Sequence, residues 1–191
     1  SCSILSDAIA LRCADYVVTE AGFGSDVVAE KFFNIKCRLS GFKPAAAVVV
    51  ATLRALKLHG GGGAVKVGAP LPAGLTGPNQ EALARGFANL EQHIANLKAH
   101  GVPVVVAVNA FINDPVAELE WVRERSQEAG ALDAAVSTHW ADGGKGAEEL
   151  PTSPRTLIHM HVATSLHHAR ICRDACFQLS QITWRTTVAH Q

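Results

Sequence analysis

GVPVVVAVNAFINDPVAELEW, residues 101–121, sets an apolar run, a polar turn and a helical pattern end to end. Val102 to Val108 is nearly all β-branched and does not alternate with polar residues. Such a run reads as a strand buried on both faces of a parallel sheet. Asp114 is placed to cap a following helix, with Pro115 at its first position and Gly130 at its end. One stretch therefore predicts a strand, a loop at its carboxyl end, and a helix that folds back.

The text on either side repeats this unit. Upstream, Leu83, Phe87, Leu90, Ile94 and Leu97 recur at alternating spacings of four and three, which is one face of a helix. Pro78 fits its first turn and Gly101 its stop. ADYVVTE (14–20), AAAVVVATL (45–53) and LDAAVST (132–138) are further short apolar runs. Strands alternating with helices predict an α/β fold, a mostly parallel sheet with flanking helices. Sheets of this kind bind ligands at the carboxyl ends of their strands. EAGFGSD (20–26), HGGGG (59–63), NAFIND (109–114) and HWADGGKG (139–146) each follow one of the four runs.

The chain has 191 residues, 48% apolar and 18% charged, with equal counts of basic and acidic residues. That composition suits a soluble domain with one sizeable core and no dedicated nucleic-acid surface. No apolar run approaches the ~18 residues of a spanning helix, so no membrane partner is expected. The cysteines, Cys2, Cys13, Cys37, Cys172 and Cys176, are odd in number and scattered. They read as reduced thiols of a cytoplasmic or organellar-matrix protein. The first residue is Ser1, which reads as a start that is processed, cut or incomplete.

Residues 151–191 differ from residues 1–150. All 16 glycines, and every Lys and Glu, lie in the first 150 residues; the remainder carries four Arg, one Asp and five of the nine His. We read 1–150 as an incomplete α/β domain and 151–191 as an atypical tail without regular structure. His159, His161, His167, His168, Cys172 and Cys176 are possible Zn²⁺ ligand types, but their spacing matches no well-formed finger. No metal site is expected.

Two readings stand for EAGFGSD. Backbone amides of Gly22 to Gly24 can line a phosphate-like anion, with Phe23 against a flat ligand and Glu20 at the crevice. The plainer reading is a β–α turn whose glycines supply positive φ and whose Ser25 or Asp26 caps a helix. KFFNIKCR (31–38) holds Lys36 and Arg38 as cations for a crevice, or as a solvated helix end. HGGGG reads as a flexible or anion-facing loop in which His59 can hydrogen-bond a substrate. Phe111 and Trp140 are either core or exposed rings at strand ends.

ADYVVTEAGFGSDVVAEKFFNIKCR, ALKLHGGG, GVPVVVAVNAFINDPVAELEWV and HWADGGKGAEEL together resemble the formate–tetrahydrofolate ligase family, from about Ala8 to Leu150. The resemblance implies a partial P-loop-NTPase-like ligase domain. It implies synthesis of 10-formyltetrahydrofolate from ATP, formate and tetrahydrofolate through formyl phosphate, with Mg²⁺ accompanying ATP and no tightly bound cofactor. Phe111 and Trp140 match the positions that hold the folate ring. Glu20, Gly22, Phe23, Gly24, Lys36, Arg38 and His59 fall to the formyl-phosphate and nucleotide side. No G-x-x-x-x-G-K-[S/T] loop occurs in the sequence; GGKG (143–146) lacks the following Ser or Thr. The 191 residues alone are therefore expected to be inactive. The family also implies a possible homo-oligomer. A rival expectation is a non-catalytic interaction protein that keeps the α/β scaffold and uses the basic tail for a partner.

Overall fold

The computed structural model describes residues 3–14, 16–66, 68–147 and 183–189. Helix α1 (Ile4–Cys13) leads into β1 (Tyr16–Phe23). A wide helix of largely π-type winding follows, built from Ser25–Ala29, Phe32–Cys37 and Arg38–Ser40 and called α2. Then come β2 (Ala46–Ala51), α3 (Leu53–His59), the short α4 (Ala73–Thr76) and α5 (Gln80–Ala99). β3 (Val104–Asn109), α6 (Val116–Glu128), β4 (Asp133–Ser137) and α7 (His139–Asp142) complete the continuous part, and a 3₁₀ turn, Gly143–Ala147, closes it.

The sheet order is β1-β5-β2-β3-β4, where β5 is Thr183–Ala189. β2, β3 and β4 pair in parallel, Val49 opposite Val106 and Val106 opposite Ala134. β5 lies antiparallel to both β1 and β2, so β1 runs the same way as β2, β3 and β4. The carboxyl ends of those four strands share one edge, and the α/β expectation holds. β5 departs from the tail reading at 183–189. Thr183, Trp184, Thr186, Thr187 and Val188 are residue types that fit a pleated surface.

One core cluster fills the space between sheet and helices. Ala47, Val49, Ala51, Val104, Val106 and Val108 meet Phe32 of α2, Leu53 and Leu56 of α3, Leu83, Phe87 and Leu90 of α5, and Val122 of α6. Neighbouring positions turn the other way. Ala107 and Ala135 bury against Ala147 of the 3₁₀ turn, with Val48 and Val50 only half-buried beside them. The burial on both faces that the unalternated runs predict holds along β3, where Val104 to Val108 are all buried, while Val48 and Val50 of β2 are half-buried.

Several boundaries differ from the sequence reading. Asn79, not Pro78, opens α5; its side chain accepts the Ala82 N–H at 3.1 Å. Asp114 does not cap α6, which has Pro115 at its cap with no side-chain bond. The Asp114 carboxylate instead accepts the Phe111 N–H at 3.0 Å and so closes the turn after β3. Gly101 and Gly130, at φ 77° and 93°, follow α5 and α6 as expected.

HGGGG is packed at its first glycine and open beyond it, Gly61 being exposed. Gly60 is buried against α5, where an added Cβ would lie 1.7 Å from the Ala82 carbonyl oxygen. Gly86 of α5 answers it: a Cβ there would lie 1.8 Å from the Leu56 carbonyl oxygen. The glycines let two helix backbones touch.

Candidate functional site

At the carboxyl edge, β3 ends at Asn109 and runs on into Ala110 and Phe111, while β4 ends at Ser137 and runs into α7. The rings of Phe111 and Trp140 meet there, with centroids 6.1 Å apart and planes inclined at 64°. Trp140 is 46% exposed, which sets it apart from core tryptophans. Its support is local. Ser137 Oγ lies 2.7 Å from His139 Nδ1, and the Thr138 N–H donates to the Gly146 carbonyl at 2.8 Å. An added Cβ at Gly146 would lie 2.4 Å from the carbonyl carbon of Thr138, so this glycine folds the 3₁₀ turn back under α7.

Arg54, in the first turn of α3 beyond β2, reaches Phe111. Its guanidinium carbon sits 4.1 Å from the ring centroid. Its Nε lies 3.9 Å from Asp114 Oδ1. Asp114 is buried, and burial pushes its carboxyl above the ordinary carboxylate range; the Phe111 N–H and the charges of Arg54 and Lys57 oppose this. One turn further along α3, the fully buried Lys57 lies 2.5 Å from Glu118 Oε2 and donates to the Gly77 carbonyl at 2.8 Å. Glu118 Oε1 accepts the Asn79 N–H at 2.6 Å. The Lys57 contact is an ion pair without hydrogen-bond geometry at Oε2.

The turn after β1 holds the other expected residues. Pairing with β5 skips Ala21, so the strand bulges between Glu20 and Gly22. Gly22 and Gly24 have φ of 120° and 72°, a region that side chains other than glycine's rarely enter. Glu20 is exposed. Neither Ser25 nor Asp26 caps α2; the Gly24 carbonyl accepts the N–H groups of Val27 and Val28 instead. Phe23 belongs to β1 by its backbone; its side chain lies outside what the structure describes.

Three expected residues are not gathered at this edge. Lys36 is buried and ion-paired with Asp7 of α1, its Nζ 5.1 Å from the Phe32 centroid, so its charge is already answered. Arg38 is exposed near the end of α2. His59 is exposed at the last residue of α3, the opposite end from Arg54. The reading from sequence missed Arg54, Lys57, Asp114 and Glu118 as a group. Their one visible signal was spacing: 54 and 57 share a helix face, and 114 and 118 lie one turn apart.

Among the described residues, no group of three or more His, Cys, Asp or Glu is placed to hold a metal ion. The histidines and cysteines of 159–176 lie outside the described residues. Cys13 and Cys37 are free thiols. None of the described helices is long and apolar enough to cross a membrane.

The sheet sets an aromatic pair and a glycine-rich turn on its carboxyl edge, the edge at which α/β sheets receive ligands. The family model for formate–tetrahydrofolate ligase matches residues 1–170, and the chain belongs to that family. The match extends past Leu150 into the compositionally different segment. A formate–tetrahydrofolate ligase of Desulforamulus reducens is 55% identical over 148 residues, 78% of this chain and 26% of its own length. The cytoplasmic C-1-tetrahydrofolate synthase of Homo sapiens is 54% identical over 148 residues, 76% of this chain and 16% of its own. A ligase of Rubrobacter xylanophilus is 53% identical over the same length. The chain spans about a quarter or less of these relatives.

Proposed function

We propose that this segment forms the folate platform of an ATP-dependent formate–tetrahydrofolate ligase, which makes 10-formyltetrahydrofolate in the cytoplasm through formyl phosphate. The observation that carries the reading is the Phe111–Trp140 pair on the carboxyl edge, with Trp140 half in solvent. A pterin held between the two rings needs them near parallel and about 7 Å apart, twice a contact distance of ~3.5 Å. The rings stand at 6.1 Å and 64°, so the slot opens when the Trp140 ring reorients by roughly 60° and the pair parts by about 1 Å.

The turn Glu20–Gly24 is the wall for the acyl phosphate, because its glycines let backbone amides approach an anion. Phosphate is the better leaving group: formate itself is a poor acyl donor, and the N10 amine of the folate attacks the activated carbonyl. This chain's residues hold and orient the amine's ring system, while ATP supplies the phosphoryl group.

The test is tetrahydrofolate binding to the chain and to its Trp140 variants. Trp140→Ala loses ~0.5–1.5 kcal/mol of ring stacking and about 1.5–3 kcal/mol of burial. Affinity should fall by about one to three orders of magnitude. Trp140→Phe should recover much of it, at an unchanged melting temperature. A folded Trp140→Ala protein that binds tetrahydrofolate normally removes the platform.

A further inference from the structure

Arg54 does more than fill space beside Phe111. Its guanidinium carbon, 4.1 Å from the ring centroid, is at cation–π distance. Its Nε is buried without a hydrogen-bond partner, 3.9 Å from Asp114 Oδ1. Attraction to the carboxylate, not a directed bond, holds the cation over the ring. The other oxygen of Asp114 accepts the Phe111 N–H at 3.0 Å. One carboxylate therefore fixes both the backbone that carries the ring and the charge that lies against it.

A cation on one face of an aromatic ring draws π density toward itself. The opposite face then carries less negative potential, so a flat ligand stacked there is favoured when its own π system is rich in electrons. The pyrimidinone of a tetrahydropterin receives electron density from its attached amino nitrogens, whereas the fully oxidised pterin is electron-poor. Two ligands of nearly equal area thus differ in how they feel the charge behind Phe111.

Resting on the folate-platform reading, we propose that Arg54 is a positioning residue that makes the Phe111 face prefer reduced, electron-rich folates over oxidised ones. Neutral replacements keep a side chain near the ring but remove the charge. Lysine keeps a charge while losing the planar contact.

Anaerobic equilibrium dialysis of tetrahydrofolate and of folic acid against the wild-type chain, Arg54→Met, Arg54→Gln and Arg54→Lys decides the matter. In Arg54→Met the preference for tetrahydrofolate should fall by about threefold to at most tenfold, with the energy of the cation–π contact itself as the ceiling. Folic acid binding should be unchanged or tighter, and Arg54→Lys should restore most of the preference. Near-UV circular dichroism and a thermal melt report whether each variant folds; should the Met variant not fold, the Gln variant carries the comparison. Equal losses for both ligands would mean a purely structural role and overturn the proposal. So would an unchanged ratio in a wild type that binds tetrahydrofolate, and that outcome leaves the platform standing. A wild type that binds neither ligand removes the platform and this inference with it.

Discussion

Replacing Gly86 by alanine sets two effects of opposite sign against each other. Gly86 lies inside α5, where alanine is favoured by about 0.8–1 kcal/mol on helix propensity alone. Yet the new methyl would lie 1.8 Å from the Leu56 carbonyl oxygen, 2.7 Å from its carbon and 2.9 Å from the Gly60 nitrogen. All three are backbone atoms, so no side chain can swing away. A normal C···O contact is about 3.3 Å or more, so α3 and α5 must part by roughly 1.5 Å. The gap opens among Leu56, Leu83, Phe87 and Leu90, all buried in the main cluster. Overpacking costs about 1–3 kcal/mol or more, and a gap of ~1 Å forfeits up to half of the dispersion well for the atoms lining it. Contact loss should outweigh propensity and leave a net loss of about 2 kcal/mol. For a chain of this size that lowers the melting temperature by roughly 4–8 °C. Urea and thermal unfolding followed by far-UV circular dichroism measure both quantities. A Gly86→Ala protein more stable than wild type by ~1 kcal/mol would refute the backbone contact, since propensity would then be acting alone.

Two further outcomes follow from the buried charges. Lys57→Met alone leaves Glu118 buried without its cation and should cost about 3–5 kcal/mol, while Lys57→Met combined with Glu118→Met recovers much of that. A double-mutant cycle with no coupling would contradict the pairing seen at 2.5 Å. Asp114 gives a pH signature: burial raises its folded carboxyl above the unfolded value, so its favourable contribution is present in acid and fades as pH rises through the raised value. Measured by urea unfolding, wild type should lose stability relative to Asp114→Asn between pH below the ordinary carboxylate range and neutrality; a difference that stays flat across that interval counts against the assigned shift.

The strands and α5 were legible because their signals are local and periodic. Val102 to Val108 carries its own argument, and the 83–97 spacing fixes a helix face without knowledge of its partner. The strand-end positions of Phe111 and Trp140 were legible, but position alone left core and exposed ring open, and only the family resemblance set them together as a candidate pair. What failed depended on approach between distant segments. HGGGG reads as a loop throughout, and nothing in it announces that its first glycine, Gly60, packs against Gly86, 26 positions later. A glycine inside an otherwise well-formed helix was the available clue, because it costs ~1 kcal/mol and calls for a packing reason. In KFFNIKCR nothing announced that Lys36 pairs with Asp7, because α1 and α2 meet only once the chain has folded around β1.

α3 ties these observations into one arrangement. Gly60 at its end presses on α5, Lys57 in its middle pairs with Glu118, and Arg54 at its start reaches Asp114 and Phe111. Arg54 and Lys57 lie one turn apart on α3, as Asp114 and Glu118 do where the chain enters α6, so the two ion pairs form successive rungs between the same two segments. The rungs differ in kind. The inner one is buried at both ends, at 2.5 Å, and binds a carbonyl and an amide of the α4–α5 connection as well. It fixes the distance between α3 and α6. The outer rung is longer, at 3.9 Å, and its cation spends its contact on an aromatic ring in place of a hydrogen bond. If Phe111 receives the proposed folate, it is best held by a neighbour whose own position is already set, because less freedom is then lost on binding. The inner rung does that setting. On the folate-platform reading, Phe111 is thus held by Arg54 and Asp114, and Arg54 sits on a helix whose other end meets α5 through Gly60 and Gly86.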